Sequence, residues 1–255
     1  MTAPGLTNGV REFLLAFADD EHLMGQQHAE WIGVAPFLEE DLAFCSIGQD
    51  ELGHAASLYA IVAGDGDPTG VVDPAIDELA FHRDPADWRS CRLVEEPSED
   101  WGHALVRHWL YDAAEELRWD LVSESTLVPL AEAAVRAASE EWFHRRHADG
   151  LLDVLLVGSD SRERLLAALD DLLPVAVGLF DPVPGEDEAV AAGVAAAPFD
   201  TCLPTWTGRV RDRFGVDPSC TVPSPPNGRR DRSPAFAPLL ERMREVFALD
   251  PTATW

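Results

Sequence analysis

The chain has 255 residues, of which 46 are acidic and 19 are basic, so its formal net charge at pH 7 is −27. All of the basic residues are arginine. So few cations cannot replace the counterions of a nucleic acid, and an anionic membrane repels such a surface, which argues against both classes of partner. The hydrophobic content of 46% is high enough for a folded core.

Two sequence features bear on the compartment in which the protein works. The N-terminal segment lacks the basic and apolar regions of a secretory signal, and no apolar run approaches the roughly 20 residues that cross a bilayer. The four cysteines are widely spaced and form no Cys-x-x-Cys pair; they are Cys45, Cys91, Cys202 and Cys220. Reduced thiols and a cytoplasmic location are therefore expected.

Helical periodicity dominates the chain, and the period-2 alternation of strands is nearly absent. In chain order, helices are predicted over residues 8–33, 36–62, 74–81, 99–124, 129–157, 160–180, 186–196, 203–214 and 235–248. Residues 217–234 form a Pro-, Ser-, Gly- and Arg-rich arm before the last helix. The four long helices are joined by a turn at Ala35-Pro36 and another at 123–129, which predicts two antiparallel hairpins.

Two Glu-x-x-His motifs lie on the second and fourth long helices. One is Glu51-Leu-Gly-His54 and the other is Glu141-Trp-Phe-His144. Residues three apart share a helix face, so each motif can offer a carboxylate and an imidazole to one metal ion. Each glutamate also interrupts an apolar stripe, where an unpaired carboxylate would cost several kcal/mol. A pair of divalent ions is the simplest compensation.

The first long helix carries a matching carboxylate. Glu21 interrupts an apolar stripe and precedes Glu51 by 30 residues, with Pro36 midway between them. Two antiparallel helices that fold back at this proline bring both carboxylates to the same level of the bundle.

The third long helix offers two candidates for the equivalent position. Asp112 precedes Glu141 by 29 residues and Glu115 precedes it by 26, with the turn at 123–129 between them. Both spacings suit a hairpin, so the residues alone leave Asp112 and Glu115 as alternatives.

The order of these ligands, one carboxylate and then Glu-x-x-His, repeated twice, is the pattern of ferritin-like proteins with two iron or two manganese ions. It predicts an all-α, ferritin-like four-helix bundle with additional C-terminal helices. The whole chain, 1–255, is expected to form one such domain, with the bundle at about 8–157 and a helical extension at 158–255. Mixed carboxylate and imidazole ligation favours two iron ions, with manganese as the alternative. The competing interpretation is that these acids lie on solvated helix faces and that the two motifs arose by chance.

An acidic residue directly precedes each motif. Asp50 and Glu140 are predicted to accept hydrogen bonds from the metal-bound imidazole of the facing helix, as outer partners of metal-ligating histidines commonly do.

The sequence around the predicted ligands resembles the phenylacetyl-CoA 1,2-epoxidase subunits of bacterial phenylacetate catabolism. The stretches Gln49–His54 and Glu140–His144 resemble the second and fourth helix motifs of the catalytic subunit. Asp112-Ala-Ala matches the third-helix ligand of that subunit, and on this resemblance Asp112 is preferred over Glu115. Other segments resemble the companion structural subunit: Glu30-Trp31, Glu40–Ala43, Leu79–Phe81 with Arg83-Asp84, and Leu93–Glu95 with Pro97.

The resemblance implies a subunit of a multicomponent di-iron oxygenase that epoxidises or hydroxylates an aromatic ring with O2. The substrate is then an aromatic small molecule, with a CoA thioester as one candidate. The implied partners are a flavin and iron-sulfur reductase and a companion oxygenase subunit, in a homo- or hetero-oligomer. The structural subunit of the family lacks most of the metal ligands, whereas this sequence has a complete set. Two alternatives stay open: a non-catalytic structural subunit, and a stand-alone di-metal oxidase or metal-storage protein.

Overall fold

The structure is a computed structural model that describes residues 5–218 and 229–250. Within these residues the chain forms ten α-helices and no strand. In chain order they are α1 (Asn8–Ala29), α2 (Leu38–Ala63), α3 (Asp73–Asp77), α4 (Arg92–Glu95), α5 (Trp101–Val122), α6 (Val128–Leu155), α7 (Ser159–Ala176), α8 (Glu186–Ala191), α9 (Leu203–Phe214) and α10 (Phe236–Leu249). Cys220 and most of the predicted arm 217–234 lie outside the described residues.

Three of the four long helices, α1, α5 and α6, begin where local sequence favours a helix start. Thr7 caps α1 by accepting a hydrogen bond from the Val10 amide at 3.2 Å, and Asp100 caps α5 by accepting one from the His103 amide at 2.8 Å. Pro129 occupies the first turn of α6, where its missing N–H costs nothing.

The long helices pair as α1 with α2 and α5 with α6, and α2 also packs against α6. Glycine makes the α1–α2 contact unusually close, because a Cβ added at Gly25 would lie 3.0 Å from the carbonyl oxygen of Gly48. Around this bundle, α7 packs on α5 and α8 packs on α1. The arrangement confirms the predicted all-α, ferritin-like bundle with additional C-terminal helices.

Two predicted helix ends were placed too late. The first helix was expected to reach residue 33 but ends at Ala29, and Gly33 then adopts a φ of +85° in the following turn. The helix predicted over 186–196 ends at Ala191, and Gly193 follows with a φ of +70°. A left-handed glycine directly after the C-cap terminates a helix, as Gly193 does after α8, whereas α1 is followed by turns over residues 30–33. Hydrophobic periodicity shows neither feature.

No helix in the described part of the chain combines the length and the apolar character that crossing a lipid bilayer would require.

Candidate metal centre

The structure brings all seven predicted ligand candidates together between the four long helices. Each is buried, and only His54 exceeds 0% exposure, at 6%. By helix they are Glu21 on α1, Glu51 and His54 on α2, Asp112 and Glu115 on α5, and Glu141 and His144 on α6. Four helices thus contribute to one cluster of carboxylates and imidazoles.

The two motif glutamates lie between the two imidazoles. Glu51 approaches Nδ1 of His54 at 4.0 Å and Nδ1 of His144 at 3.9 Å. Glu141 approaches the same two nitrogens at 3.8 and 3.5 Å. Each of these carboxylates therefore reaches both sides of the cluster, the position that bridging ligands of a two-metal site require.

The remaining ligand candidates divide between the two sides. Glu21, Glu51 and His54 form one group whose ligand atoms lie within 4.8 Å of one another, and Glu51, Asp112 and His144 form a second. Glu51 belongs to both groups. This geometry can hold two metal ions side by side.

The outer edge of each imidazole is bonded by an acid on the facing helix. Nε2 of His54 contacts Glu140 at 2.8 Å, and Nε2 of His144 contacts Asp50 at 3.2 Å. An ionised carboxylate can only accept here, so each imidazole donates from Nε2 and turns its Nδ1 towards the cluster. The predicted contacts of Asp50 and Glu140 are thus present in the structure.

Glu115 has a different environment from the other carboxylates. It forms an ion pair with the buried guanidinium of Arg118, one turn along α5. Asp112, in contrast, belongs to the group with Glu51 and His144. The two candidates of α5 thus differ in their neighbours: Asp112 lies with Glu51 and His144, and Glu115 lies with Arg118.

Several ligand atoms in the cluster have no hydrogen-bond partner. They are Oε1 of Glu21, both carboxylate oxygens of Glu51, Asp112, Glu115 and Glu141, and Nδ1 of His144. Buried polar atoms without partners are rare and costly, so this group calls for a compensating cation. Oxygen and imidazole donors suit iron or manganese, and the donor set fits two such ions.

Burial and mutual repulsion favour the protonated forms of Asp112, Glu141 and Glu51 when no cation is bound. Burial raises the pKa of Asp112 to about 8 and that of Glu141 to about 7. Burial and the charge of Glu21 raise the pKa of Glu51 well above its usual value. A bound divalent ion would displace these protons, which couples metal binding to pH.

The pKa values of the two imidazoles are also raised, but by hydrogen bonds to carboxylates and not by burial. Burial alone would lower the pKa of His54, but the hydrogen bonds with Glu140 and Glu21 raise it to about 10. The hydrogen bonds of His144 with Asp50 and Glu141 overcome burial in the same way and raise the pKa of His144 to about 10.

Two buried residues of α5 near the cluster were missed by the sequence analysis. Nδ1 of His108 lies 2.9 Å from Asp112, and Arg118 joins Glu115 to Asp20, which it contacts at 2.6 Å. Their spacing offered a signal, because His108 is four residues before Asp112 and Arg118 is three residues after Glu115. Asp20 also binds Arg229, at 2.6 Å, a contact that no local pattern predicts.

A small cavity opens between α2 and α6 at the outer edge of the cluster. It has a volume of about 240 Å³, and His54, Asp50 and Glu140 contribute to its lining. Gly53 and Ala133 also line this cavity, and because both residues are small, the edge of the His54 imidazole forms part of the cavity wall.

Comparison with known proteins identifies the family. A profile of the phenylacetic acid catabolic protein family matches residues 3–255. The chain belongs to this family. Two components of 1,2-phenylacetyl-CoA epoxidase from Escherichia coli K12 are similar to it. The chain is 31% identical over 207 residues to the C component, with 80% of each chain covered. It is 24% identical over 136 residues to the A component, covering 53% of this chain and 42% of that component. The predicted resemblance is thereby confirmed.

Proposed function

We propose that this chain is a metal-binding subunit of a phenylacetyl-CoA epoxidase-type oxygenase and holds two iron ions in its bundle, with manganese as the alternative. The observation that carries the proposal is that Glu51 and Glu141 each lie within 4.0 Å of both imidazoles. The family membership and the two similar epoxidase components support the reaction class.

Glu51 and Glu141, which approach both imidazoles, would contribute to holding both ions. One ion would be held in addition by Glu21 and His54, and the other by Asp112 and His144. When bound, iron would supply the activation of O2 and the transfer of one oxygen atom to an aromatic ring. A reductase that delivers electrons and a companion oxygenase subunit complete the proposed system.

The chain's own side chains orient the ligands and exclude water. Asp50 and Glu140 fix the Nε2–H of each imidazole, which directs both Nδ1 atoms inwards. The indole of Trp119 packs on the His54 ring with the centroids 5.3 Å apart and covers that side of the cluster. A site protected in this way keeps the reacting oxygen away from bulk solvent.

Metal content of the purified chain tests the proposal. We expect about two iron ions per chain, and the substitution Glu51→Ala should remove both because Glu51 belongs to both ligand groups. Glu132→Ala, an exposed acid on the same α6 helix as Glu141, serves as the matched control and should leave the iron content unchanged. A wild-type content below about 0.2 iron per chain under iron-replete expression would contradict the two-metal site.

A second candidate function is a structural subunit that stabilises the catalytic oxygenase subunit. The segments that resemble the structural subunit of the family, among them Glu30-Trp31 and Leu93–Glu95, favour this alternative. Turnover of phenylacetyl-CoA should be measured for the chain alone and for the chain co-expressed with its family partners. Turnover that is abolished by Glu51→Ala in this chain supports a catalytic role. Turnover that survives Glu51→Ala while the complex stays assembled supports the structural role. Oxidation of iron by the chain without partners or substrate would instead support a stand-alone oxidase or a storage protein.

A further inference from the structure

The ligand cluster of the candidate metal centre reaches the protein surface at one of its members. His54 is 6% exposed. The other six ligand candidates are 0% exposed: Glu21, Glu51, Asp112, Glu115, Glu141 and His144. A cluster closed in this way cannot take up an ion from solvent unless one of its residues moves. His54 is the residue whose movement would open it.

The cavity of about 240 Å³ between α2 and α6 meets the cluster at this residue, because His54 is part of its lining. The cavities of about 580, 310 and 280 Å³ elsewhere on the described surface contain no ligand candidate in their linings. Water occupies roughly 30 Å³ per molecule in the liquid, so the cavity at His54 has room for an ion with several of its waters.

Two helix faces form the walls of this cavity, and small residues keep it open. The α2 wall consists of Gln49, Asp50, Gly53, His54 and Ser57, and the α6 wall consists of Ala133, Arg136 and Glu140. A Cβ added at Gly53 would have no neighbouring atom within 4 Å. A larger side chain at this position would therefore extend into open space and narrow the passage.

The charges in the walls suit a cation. The side chains of Asp50 and Glu140 are 33% and 37% exposed, so both carboxylates face the solvent in part while they bond the imidazoles. Arg136 carries the opposing charge, and its guanidinium donates a hydrogen bond to the backbone carbonyl of Glu132 at 3.3 Å. With a net charge of −27, the chain as a whole also attracts cations.

We propose that this cavity is the entry route of divalent metal ions and that His54 opens and closes it. The inference rests on the proposed function, which supplies the ions, while the route itself rests on the exposure of His54 and on the cavity. Asp50 and Glu140 attract the hydrated ion at the cavity walls. The His54 ring then turns, which breaks its 2.8 Å hydrogen bond with Glu140, and water replaces the ring at this partly exposed carboxylate. The ring returns with Nδ1 towards the cluster once the inner carboxylates hold the ion.

Bulk added to the cavity wall tests the route through the rate of iron loading. The metal-free full-length chain is mixed anaerobically with ferrous iron, and a chromogenic chelator captures the unbound iron at increasing times. We expect Gly53→Leu to slow loading at least about tenfold, because its side chain must be displaced whenever an ion passes. The final iron content should stay unchanged, since no ligand candidate is altered. Gly150→Leu is the matched control, because Gly150 also has no neighbour within 4 Å but lies outside this cavity.

A change of charge tests the same route independently. Arg136→Glu replaces a positive charge in the cavity wall by a negative one, and we expect it to speed loading at least about threefold at low ionic strength. Arg162→Glu, at an exposed position on α7, makes the same change in net charge and should alter the rate much less. High salt should remove the difference between the two variants because it screens exposed charges.

The route is overturned if Gly53→Leu loads iron as fast as the wild-type chain, or if Arg136→Glu loads no faster than Arg162→Glu. The final iron content separates this proposal from the proposed function. About two iron ions per chain together with either of those rates removes the route and leaves the metal centre. A wild-type chain that binds no iron at saturation contradicts the metal centre and the route with it.

Discussion

Asp50 on α2 accepts a hydrogen bond from Nε2 of His144 on α6, across a distance of 3.2 Å. The reciprocal bond joins His54 on α2 to Glu140 on α6 at 2.8 Å. Each Glu-x-x-His helix therefore orients the imidazole of the other. This exchange links the two hairpins of the bundle at the level of the candidate metal centre and makes both outer carboxylates targets for mutation.

Removing either outer carboxylate should weaken metal binding without removing a ligand. Asp50→Ala or Glu140→Ala leaves one imidazole free to rotate, and we expect the affinity for iron or manganese to fall about 10- to 100-fold. Competition with a chelator of known affinity measures the change. Glu132→Ala provides the control on the exposed face of α6. Wild-type affinity in both variants would show that the imidazoles need no outer partner.

The metal-free protein should lose stability as the pH rises. The pKa of Asp112 is about 8 and that of Glu141 is about 7, both above the usual values of 3.8 and 4.5. Between about pH 6.5 and 8 the folded state therefore binds protons that the unfolded state has released, so the free energy of unfolding falls across this window. The lowered pKa values of His22, His28 and His108 act in the opposite direction, but only below their usual value of 6.5, and the lowered pKa of Glu21 acts only below 4.5.

Thermal unfolding between about pH 6.5 and 8 measures this dependence. The Tm of the metal-free protein should decrease with pH, while that of the iron-loaded protein should depend on pH much less because its ligands are already deprotonated. The double variant Asp112→Asn, Glu141→Gln should flatten the metal-free curve. A metal-free Tm that increases across the window would show that these carboxylates are ionised in the folded protein.

Arg118 should be among the arginines most costly to remove. It is fully buried and compensates both Asp20, at 2.6 Å, and Glu115. We expect Arg118→Met to lower the free energy of unfolding by about 3 to 5 kcal/mol, because it leaves a buried carboxylate without its cation. Adding Glu115→Leu to this variant should recover part of the loss.

Urea unfolding compares this variant with Arg11→Met, which removes an exposed ion pair to Asp65. Arg11→Met should lower the free energy of unfolding by no more than about 1 kcal/mol. Equal costs for the two substitutions would mean that Glu115 is protonated in the folded protein and needs no cation.

The close approach of α1 and α2 predicts opposite effects for two helical glycines. A Cβ at Gly25 would lie 2.9 Å from Cγ of Leu52 and 3.0 Å from the Gly48 carbonyl oxygen, so Gly25→Val should destabilise the protein by about 1 to 3 kcal/mol. Gly150 on α6 has no neighbour within 4 Å, and Gly150→Ala should stabilise by about 0.5 to 1 kcal/mol. Chemical denaturation measures both changes, and a stable Gly25→Val variant would contradict the close helix contact.

The sequence by itself determined the helical class, the four long helices and the ligand candidates. Hydrophobic periodicity is a local signal that can be read from the sequence alone. The i,i+3 spacing of Glu51 with His54 and of Glu141 with His144 is another. The spacing of Glu21 and Glu51 around a proline turn was sufficient to place them at one level. The helix end at Ala191 could not be predicted in this way because it depends on the left-handed backbone geometry of Gly193.

Only the tertiary structure distinguishes the surroundings of Asp112 and Glu115, because both lie on the inner face of α5 and differ in their neighbours from other turns and helices. Arg118 forms an ion pair with Glu115, while Asp112 lies with Glu51 and His144. Periodicity reports which face of a helix is buried, but the partner of a buried charge is set by the packing of separate helices.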